Sequence, residues 1–292
     1  MRVFVPATSA NLGPGYDCLG LAIGLRNETE VKKSKFMSIS VKGEGASFLK
    51  TKTNNIFINI FNEKFQELTG EEGAYRFVFN NFIPISRGLG SSSAVIVSAI
   101  AAAYEAAGVK CDKASILNSA LKYESHPDNI TPAVYGGFCS AIVENKIVKK
   151  IHAKISRDLK AVVVIPDRTI STKKSRTTLS EMVSHKDAAY NTGRASLLTA
   201  ALVTQNYDLL RDASKDKLHQ TQRMGNMPVL FEVQKEAYYH GALMSTLSGS
   251  GSTFFNMAYR QDAKNLKFKL SKKFPKFRVE ILDFDNDGLV IK

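Results

Sequence analysis

Little in this sequence suits a membrane, secreted or zinc-dependent protein. No apolar run reaches the about 18 residues needed to span a bilayer. The N-terminus, MRVFVPATSANLG, carries a charge but lacks the apolar stretch of a secretory leader, so the expected compartment is the cytoplasm. Cysteine is sparse. Cys18, Cys111 and Cys139 lie far apart, are odd in number and form no CxxC, which speaks against a disulfide framework or a zinc site and leaves free thiols. There is no internal repeat and no low-complexity linker. A GxxxxGKS or GxxxxGKT loop is missing, and no GxGxxG follows a strand pattern, so neither a Walker-type nor a dinucleotide-binding loop is expected.

What is present is a chain of 292 residues, 44% of them hydrophobic, enough for one large core or two modest ones. The net charge is +13, from 40 basic and 27 acidic residues. Such a balance suits a nucleic-acid partner, polyanionic small molecules, or a plain solvated surface. The lysines are spread along the chain, at Lys32, Lys33 and Lys35, then Lys149 and Lys150, Lys173 and Lys174, Lys272 and Lys273, without an interleaved aromatic pattern. That favours the solvated surface and argues for no nucleic-acid partner and no membrane partner.

Strand and helix patterns alternate without regular βαβ spacing, which predicts an α+β fold. Strands are expected at Arg2 to Pro6, Met37 to Val41, Tyr75 to Phe79, Phe138 to Val143, Ile147 to His152 and Leu159 to Ile165. Helices are expected from Ser92 to Ala107, stopped by Gly108, and from Ala114 to Tyr123. Beyond about residue 155 the pattern predicts helices near 178–184, 187–204, 207–217, 228–240 and 262–273, with strands near 242–247, 252–258 and 277–283. The expected division is 1–154 and 155–292.

The segment PISRGLGSSSA, from Pro84 to Ala94, carries the chemistry. It joins a strand pattern to a helix pattern. Gly88 and Gly90 permit backbone angles and close approaches that a side chain blocks. Ser91, Ser92 and Ser93 then stand at a helix start, where unpaired N–H groups and the positive dipole end attract an anion. An ordinary capped turn has the same residues.

These residues resemble the PxxxGLGSS loop of the GHMP kinases. Three further segments agree in order: PATSANLGPGYDCLG (Pro6 to Gly20), YESHPDNITPAVYGGF (Tyr123 to Phe138) and TLSGSGST (Thr246 to Thr253). The first and second are similar to stretches of the homoserine kinases within that superfamily, and the GEH-type motif of its sugar kinases is missing. The resemblance implies an N-terminal ribosomal-protein-like α+β part and a C-terminal ferredoxin-like α+β part, with ATP and an alcohol substrate meeting between them. It implies an ATP:alcohol phosphotransferase that makes O-phospho-L-homoserine on the route to threonine by direct in-line transfer, with ATP and Mg²⁺ as cofactors.

By the same resemblance, Pro84, Ile85, Ser86, Arg87, Gly88, Leu89, Gly90, Ser91, Ser92, Ser93 and Ala94, with Gly249 and Gly251, make the ATP site. Ser92, or Ser91 in its place, and Glu124 are the Mg²⁺ ligands. Asn129, Asp128 and His126 belong to the catalytic region. Asn129 orients groups, because an amide cannot take a proton as a base, and Asp128 holds the loop or serves as base. L-Homoserine, with its carboxylate, ammonium and hydroxyl, would meet Asn11, Asp17, His126, Thr172, Arg176 and Arg223. Asp17 faces the ammonium, and the arginine forks suit the carboxylate. Asn54, Asn55 and Ile56 are the adenine-pocket candidates. Family members are often dimers, so a homodimer is the expected assembly. Two alternatives stay open: another small-alcohol kinase of the mevalonate type, or a non-catalytic basic protein that binds nucleic acid.

Overall fold

The computed structural model describes residues 1–49, 55–170 and 175–292. Seven strands form the first sheet: β1 (Arg2–Ala10), β2 (Leu19–Lys33), β3 (Ser38–Gly43), β4 (Tyr75–Asn81), β5 (Phe138–Glu144), β6 (Ile147–Ala153) and the closing β11 (Val290–Ile291). Its order is β11-β1-β2-β4-β3, with β5 pairing β2 and carrying β6. The long β2 serves two neighbours on one side, β5 at Leu19 to Leu21 and β4 at Glu28 to Lys33. The β1–β2 register shifts between Pro6 and Ala7, where Pro6 has no N–H to give the ladder. The second sheet is antiparallel, ordered β10 (Arg278–Leu282), β7 (Leu159–Ile165), β9 (Phe254–Tyr259), β8 (Met244–Leu247).

Helices α1 (Ala46–Leu49), α2 (Ile56–Thr69), α3 (Ser91–Ala106), α4 (Lys113–Ala120) and α5 (Pro127–Tyr135) belong to the first half. In α2 the buried Phe57, Phe61 and Phe65 recur every fourth residue and pack on Tyr75, Phe77 and Phe79 of β4, with ring centroids 4.9 Å apart for Phe57 and Phe79. The Ala-rich α3 lies between α2 and β1 and is buried along most of its length. The second half adds α6 (His185–Val203), α7 (Leu210–Ala213), α8 (Gln220–Gly225), α9 (Val229–Tyr239) and α10 (Ala263–Lys273). The run AVVV in β7 is continuously apolar because both its faces are covered. Ala161 and Val163 face the larger core, and Val162 and Val164 face a second core with Leu230, Phe254 and Leu266.

Two local expectations are corrected, and one helix was not expected. Residues 178–184 are not helical. The Ser180 hydroxyl accepts from Met182 N–H and donates to Met182 C=O, a local bonding that competes with a short exposed helix. Residues 207–217 hold only a 3₁₀ turn (Tyr207–Leu209) and the single turn α7, because Asp216 collects backbone N–H groups further on. The stretch around HPDN is the helix α5, with Pro127 at its first position, where no N–H is needed.

The last ten residues leave the second sheet and return to the first. Arg2 N–H donates to Lys292 O at 2.6 Å, and Lys292 N–H donates to Arg2 O at 2.8 Å. Asp285 fastens this strap. Its carboxylate takes two bonds from Arg26, one of 2.8 Å from Nη2, and accepts from Gly288 N–H at 2.9 Å, while its C=O accepts from Gly137 N–H at 2.7 Å. Only 4% of its side chain is exposed, against 25% for Arg26. Asp285→Ala strands the half-buried guanidinium and two amides. It is expected to lower unfolding free energy by about 2 kcal/mol, read as a lower urea midpoint. An unchanged midpoint would mean that the strap carries no stability.

Candidate active site

The loop between β4 and α3 turns three times through left-handed backbone, at Ser86, Gly88 and Gly90. Gly90 begins α3 at φ 67° with no side-chain cap. The first helical bond runs from Ala94 N–H to Gly90 O at 2.9 Å, so the preceding amides of Ser91, Ser92 and Ser93 are left for another acceptor. A Cβ on Gly90 would stand 1.9 Å from the Thr8 Oγ1, and one on Gly88 would stand 2.2 Å from Ser248 O. Both glycines are therefore needed for close approach as well as for backbone angle.

This helix start opens on a cavity of about 550 Å³ between the two halves. At its other end the charges gather. The Asp17 N–H donates to Asn11 Oδ1 at 3.0 Å, and Asn11 Nδ2 donates to Gly249 O at 3.1 Å. Arg176 clamps Asp17 with two bonds, 2.7 and 3.1 Å, and also donates to the Tyr16 hydroxyl at 2.7 Å. His126 Nε2 is 3.6 Å from Asp17, and its Nδ1 is 3.1 Å from Glu124 Oε1. The bond to Glu124 is the main cause that holds the His126 pKa above the ordinary histidine value, against desolvation. Asp128 is buried, 5% exposed. Burial first, then the charges of Asp17 and Glu124, push its pKa up to about 7. Asn129 Nδ2 donates to Asp128 at 3.3 Å, and its Oδ1 accepts from the Thr8 hydroxyl at 2.8 Å, so the amide is fixed at both ends.

Arg223 differs from Arg176. It is 4% exposed yet lines the cavity. Nη1 donates to Gly249 O at 3.0 Å and lies 3.2 Å from His219 Nδ1, while Nε has no hydrogen-bond partner among the described residues. No carboxylate pairs with it among the described residues. The ring of Tyr16 lies near both guanidinium groups, 5.4 Å from Arg176 Cζ and 5.3 Å from Arg223 Cζ.

Residues 55–137 match the GHMP kinases N terminal domain, and residues 198–276 match the GHMP kinases C terminal family. A homoserine kinase of Nitratiruptor sp. is 59% identical over 292 residues, with all of both chains covered. The chain belongs to the homoserine kinase family. One from Campylobacter lari is 55% identical over 291 residues, again with both chains fully covered. The crystal structure of homoserine kinase from Cytophaga hutchinsonii has the same fold, with a TM-score of 0.88 at 24% identity, covering 100% of this chain and 97% of that one. The chain is thus an enzyme, a kinase, with the two-domain α+β fold of the GHMP kinases, and ATP is the donor that family implies. Among the described residues no helix is long and apolar enough to cross a membrane.

Within this family frame, the cavity brings together most of the expected residues. Ile85, Ser86, Gly88, Leu89, Gly90, Ser91, Ser92, Ser93 and Gly249 line it, and so do Asn11, Asp17, Glu124, His126, Asp128, Asn129, Arg176 and Arg223. Pro84, Arg87, Ala94 and Gly251 do not. The Arg87 guanidinium turns away to Pro166 O at 3.1 Å and Asp167 at 2.9 Å, so it joins the halves. Pro84 and Ala94 are buried supports. Gly251 packs towards Leu247. Thr172 and Asn54 lie outside the described residues. Ile56 lines the cavity, whereas Asn55 spends its side chain on capping α2, accepting from Phe57 N–H at 3.0 Å. Sequence reasoning missed Tyr16, His219, Ser250, Asn27 and Asn81. His219 stands four residues before Arg223, a helical spacing that could have flagged it.

No cluster of three or more His, Cys, Asp or Glu side chains is placed to hold a metal among the described residues. Mg²⁺ keeps water and phosphate ligands and needs few from the protein. Ser92 and Glu124 share the cavity, and both Glu124 bonds use Oε1, which leaves Oε2 for an ion.

Asp128 gives a signed pH prediction. Its folded pKa lies above the ordinary value of 3.8, so the folded state holds an extra proton between about 4 and 7. Stability from this group is present at low pH and is lost as pH rises through that window. Asp128→Asn is neutral throughout. Relative to the parent chain it should gain stability between pH 5 and pH 8 in urea titrations. Parallel pH profiles would show that Asp128 is ionised across the range.

Proposed function

We propose that this chain transfers the γ-phosphoryl group of ATP to the terminal hydroxyl of L-homoserine, giving O-phospho-L-homoserine, an intermediate towards threonine, in the cytoplasm. Arg223 carries the acceptor reading. A buried guanidinium that lines the cavity with one nitrogen unbonded and no acid partner suits a carboxylate. Asp17, already aimed at cations, suits the ammonium at the other pole.

Phosphoryl transfer asks for position and charge neutralisation rather than covalent chemistry. The uncapped amides of α3 receive the phosphates. Ser92 and Glu124 would hold Mg²⁺, which supplies charge neutralisation on the phosphates when bound. Asn129, fixed between Thr8 and Asp128, orients the acceptor end beside the phosphate loop. Asp128 keeps the acidic side of the cavity near neutrality, because burial holds its proton up to about pH 7. Its depth makes it a supporting group and leaves the hydroxyl proton to phosphate or water.

The test is an ADP-release assay with Mg-ATP, offering L-homoserine, mevalonate, galactose, L-serine and no acceptor. Turnover is expected on homoserine. Turnover on mevalonate alone would replace the acceptor reading. No turnover on any acceptor, with salt-dependent RNA binding, would replace the enzymatic one. In the same assay Arg223→Ala should raise the homoserine KM on the order of a hundredfold and leave the ATP KM within about twofold. An unchanged homoserine KM would remove Arg223 from the site. Glu124→Ala should lower kcat and raise the Mg²⁺ concentration needed for half-maximal rate by about tenfold or more, with the urea midpoint unchanged. A normal Mg²⁺ response would place the metal ligand elsewhere.

A further inference from the structure

The catalytic reading leaves a buried polar group unexplained. His219 is 1% exposed and lies just before α8, four residues ahead of Arg223. Its Nδ1 is 3.2 Å from Arg223 Nη1, and its Nε2 is 2.8 Å from Gly13 O. A guanidinium has only donors, so Nδ1 must be the acceptor. A carbonyl oxygen has only lone pairs, so Nε2 must carry the proton. Two unrelated neighbours thus require the same neutral tautomer.

The surroundings agree. Asp216 is not the partner of this ring. It accepts from the N–H groups of Leu218, His219 and Gln220 and from Asn191 Nδ2, at 2.7 to 3.0 Å, and its Oδ2 lies 3.9 Å from His219 Nε2, beyond hydrogen-bond reach. It pins the backbone that presents the imidazole. Gly13 sits in the turn that runs from Asn11 to Asp17, and Ser214 O approaches this turn so closely that a Cβ on Gly13 would lie 2.1 Å away. Asn191 Nδ2 also reaches Pro14 O at 3.4 Å. The Tyr16 ring is 5.2 Å from the imidazole. His219 therefore touches both sides of the amino-acid subsite: the turn that carries Asp17 and the helix that carries Arg223.

We propose that His219, as the neutral Nε2–H tautomer, is a positioning residue for substrate recognition: it holds the Arg223 guanidinium by accepting from Nη1 and ties it to the Gly13 carbonyl. This rests on the reading of homoserine as acceptor. Without the imidazole, Arg223 keeps only Gly249 O as a hydrogen-bond partner, beside the Tyr16 ring, and loses the second polar contact that sets the plane of its fork. The carboxylate then meets a guanidinium that must be ordered on binding, and the cost falls on homoserine affinity rather than on ATP.

Two measurements decide it. The first is long-range ¹H–¹⁵N NMR of histidine-labelled wild-type protein at pH 7, with the His219 signals assigned by their loss in His219→Asn. Protonated Nε2 and unprotonated Nδ1 are expected; a proton on Nδ1 overturns the proposal. The second compares His219→Leu, which fills the space without an acceptor, with His219→Asn, whose Oδ1 stands near the lost Nδ1. The leucine variant should raise the homoserine KM about tenfold or more, with ATP KM and kcat within about threefold, and the asparagine variant should recover most of the loss. Equal KM values in the two variants, or a wild-type KM in the leucine variant, overturn the proposal. Should the leucine variant fail to fold, the tautomer and the asparagine variant's KM still decide. Wild-type protein that ignores homoserine refutes the acceptor reading, whereas the tautomer measurement needs no substrate and tests the His219–Arg223 contact alone.

Discussion

Three backbone segments meet at the centre of the molecule with no room for a side chain between them. Gly88 lies against Ser248 and Gly251, where a Cβ would come within 2.2 Å of the Ser248 carbonyl and 2.9 Å of the Gly251 carbonyl. The Ser248 hydroxyl donates to Gly88 O at 2.6 Å and lies 2.8 Å from the Ser9 hydroxyl. Thr253 N–H donates to Arg87 O, Gly249 N–H to Ala10 O and Thr8 N–H to Leu89 O, at 2.9 to 3.1 Å. The three glycine- and serine-rich motifs are thus one junction. Its geometry points the start of α3 into the cavity. It also places Gly249 O where Asn11 and Arg223 both donate to it. Both ends of the cavity are set by the same contact between the halves.

Charge in the cavity is balanced locally and not drawn from the overall excess of +13. Three carboxylates, Asp17, Glu124 and Asp128, face three cationic or protonatable groups, Arg176, Arg223 and His126. The balance is uneven. Asp17 is shared between Arg176 and His126, Glu124 holds His126, and Asp128, by its burial first and its acidic neighbours second, keeps its proton to about pH 7. Arg223 is left with carbonyl, imidazole and ring. The Tyr16 ring lies within 5.4 Å of both guanidinium groups.

The glycine-serine loop and the helix start that it opens were legible because their signals are local. Gly88, Gly90 and the serines that follow need no distant partner to be read as an anion site. The amphipathic α2 and the apolar β7 were equally open to pattern reading, although β7 alone could not say that it is covered on both faces. Other features depend on distant contacts. Nothing local marks Asp285 as the fastening of a strap to Arg26, 259 residues away. Pro127 and Pro132 disguise α5, because proline usually breaks a helix, yet the first sits where no N–H is needed and the second leaves the Asp128 carbonyl against Gly20. The resemblance puts Arg87 in the ATP site with the rest of its segment, and only the position of Asp167 and Pro166 shows that it links the halves. The segment 178–184 had a helix-like pattern but no surface to bury it against.

The two arginines of the subsite are not equivalent, and the reason is desolvation. Arg176 already has a bidentate carboxylate, so a substrate carboxylate must compete with Asp17 for its donors. A zwitterion solves that competition, since its ammonium can take Asp17 as its carboxylate takes Arg176. A simple anion cannot, because it would leave Asp17 facing a diminished positive charge. Arg223 bears the cost of burial without a counter-ion before substrate arrives, and that cost is recovered by any carboxylate in reach. On the proposed acceptor reading, Arg223 therefore supplies affinity for a carboxylate, and the Asp17–Arg176 pair supplies the preference for a carboxylate with an ammonium beside it. On that reading, recognition of an amino acid over a hydroxy acid rests on a salt bridge that the protein makes with itself.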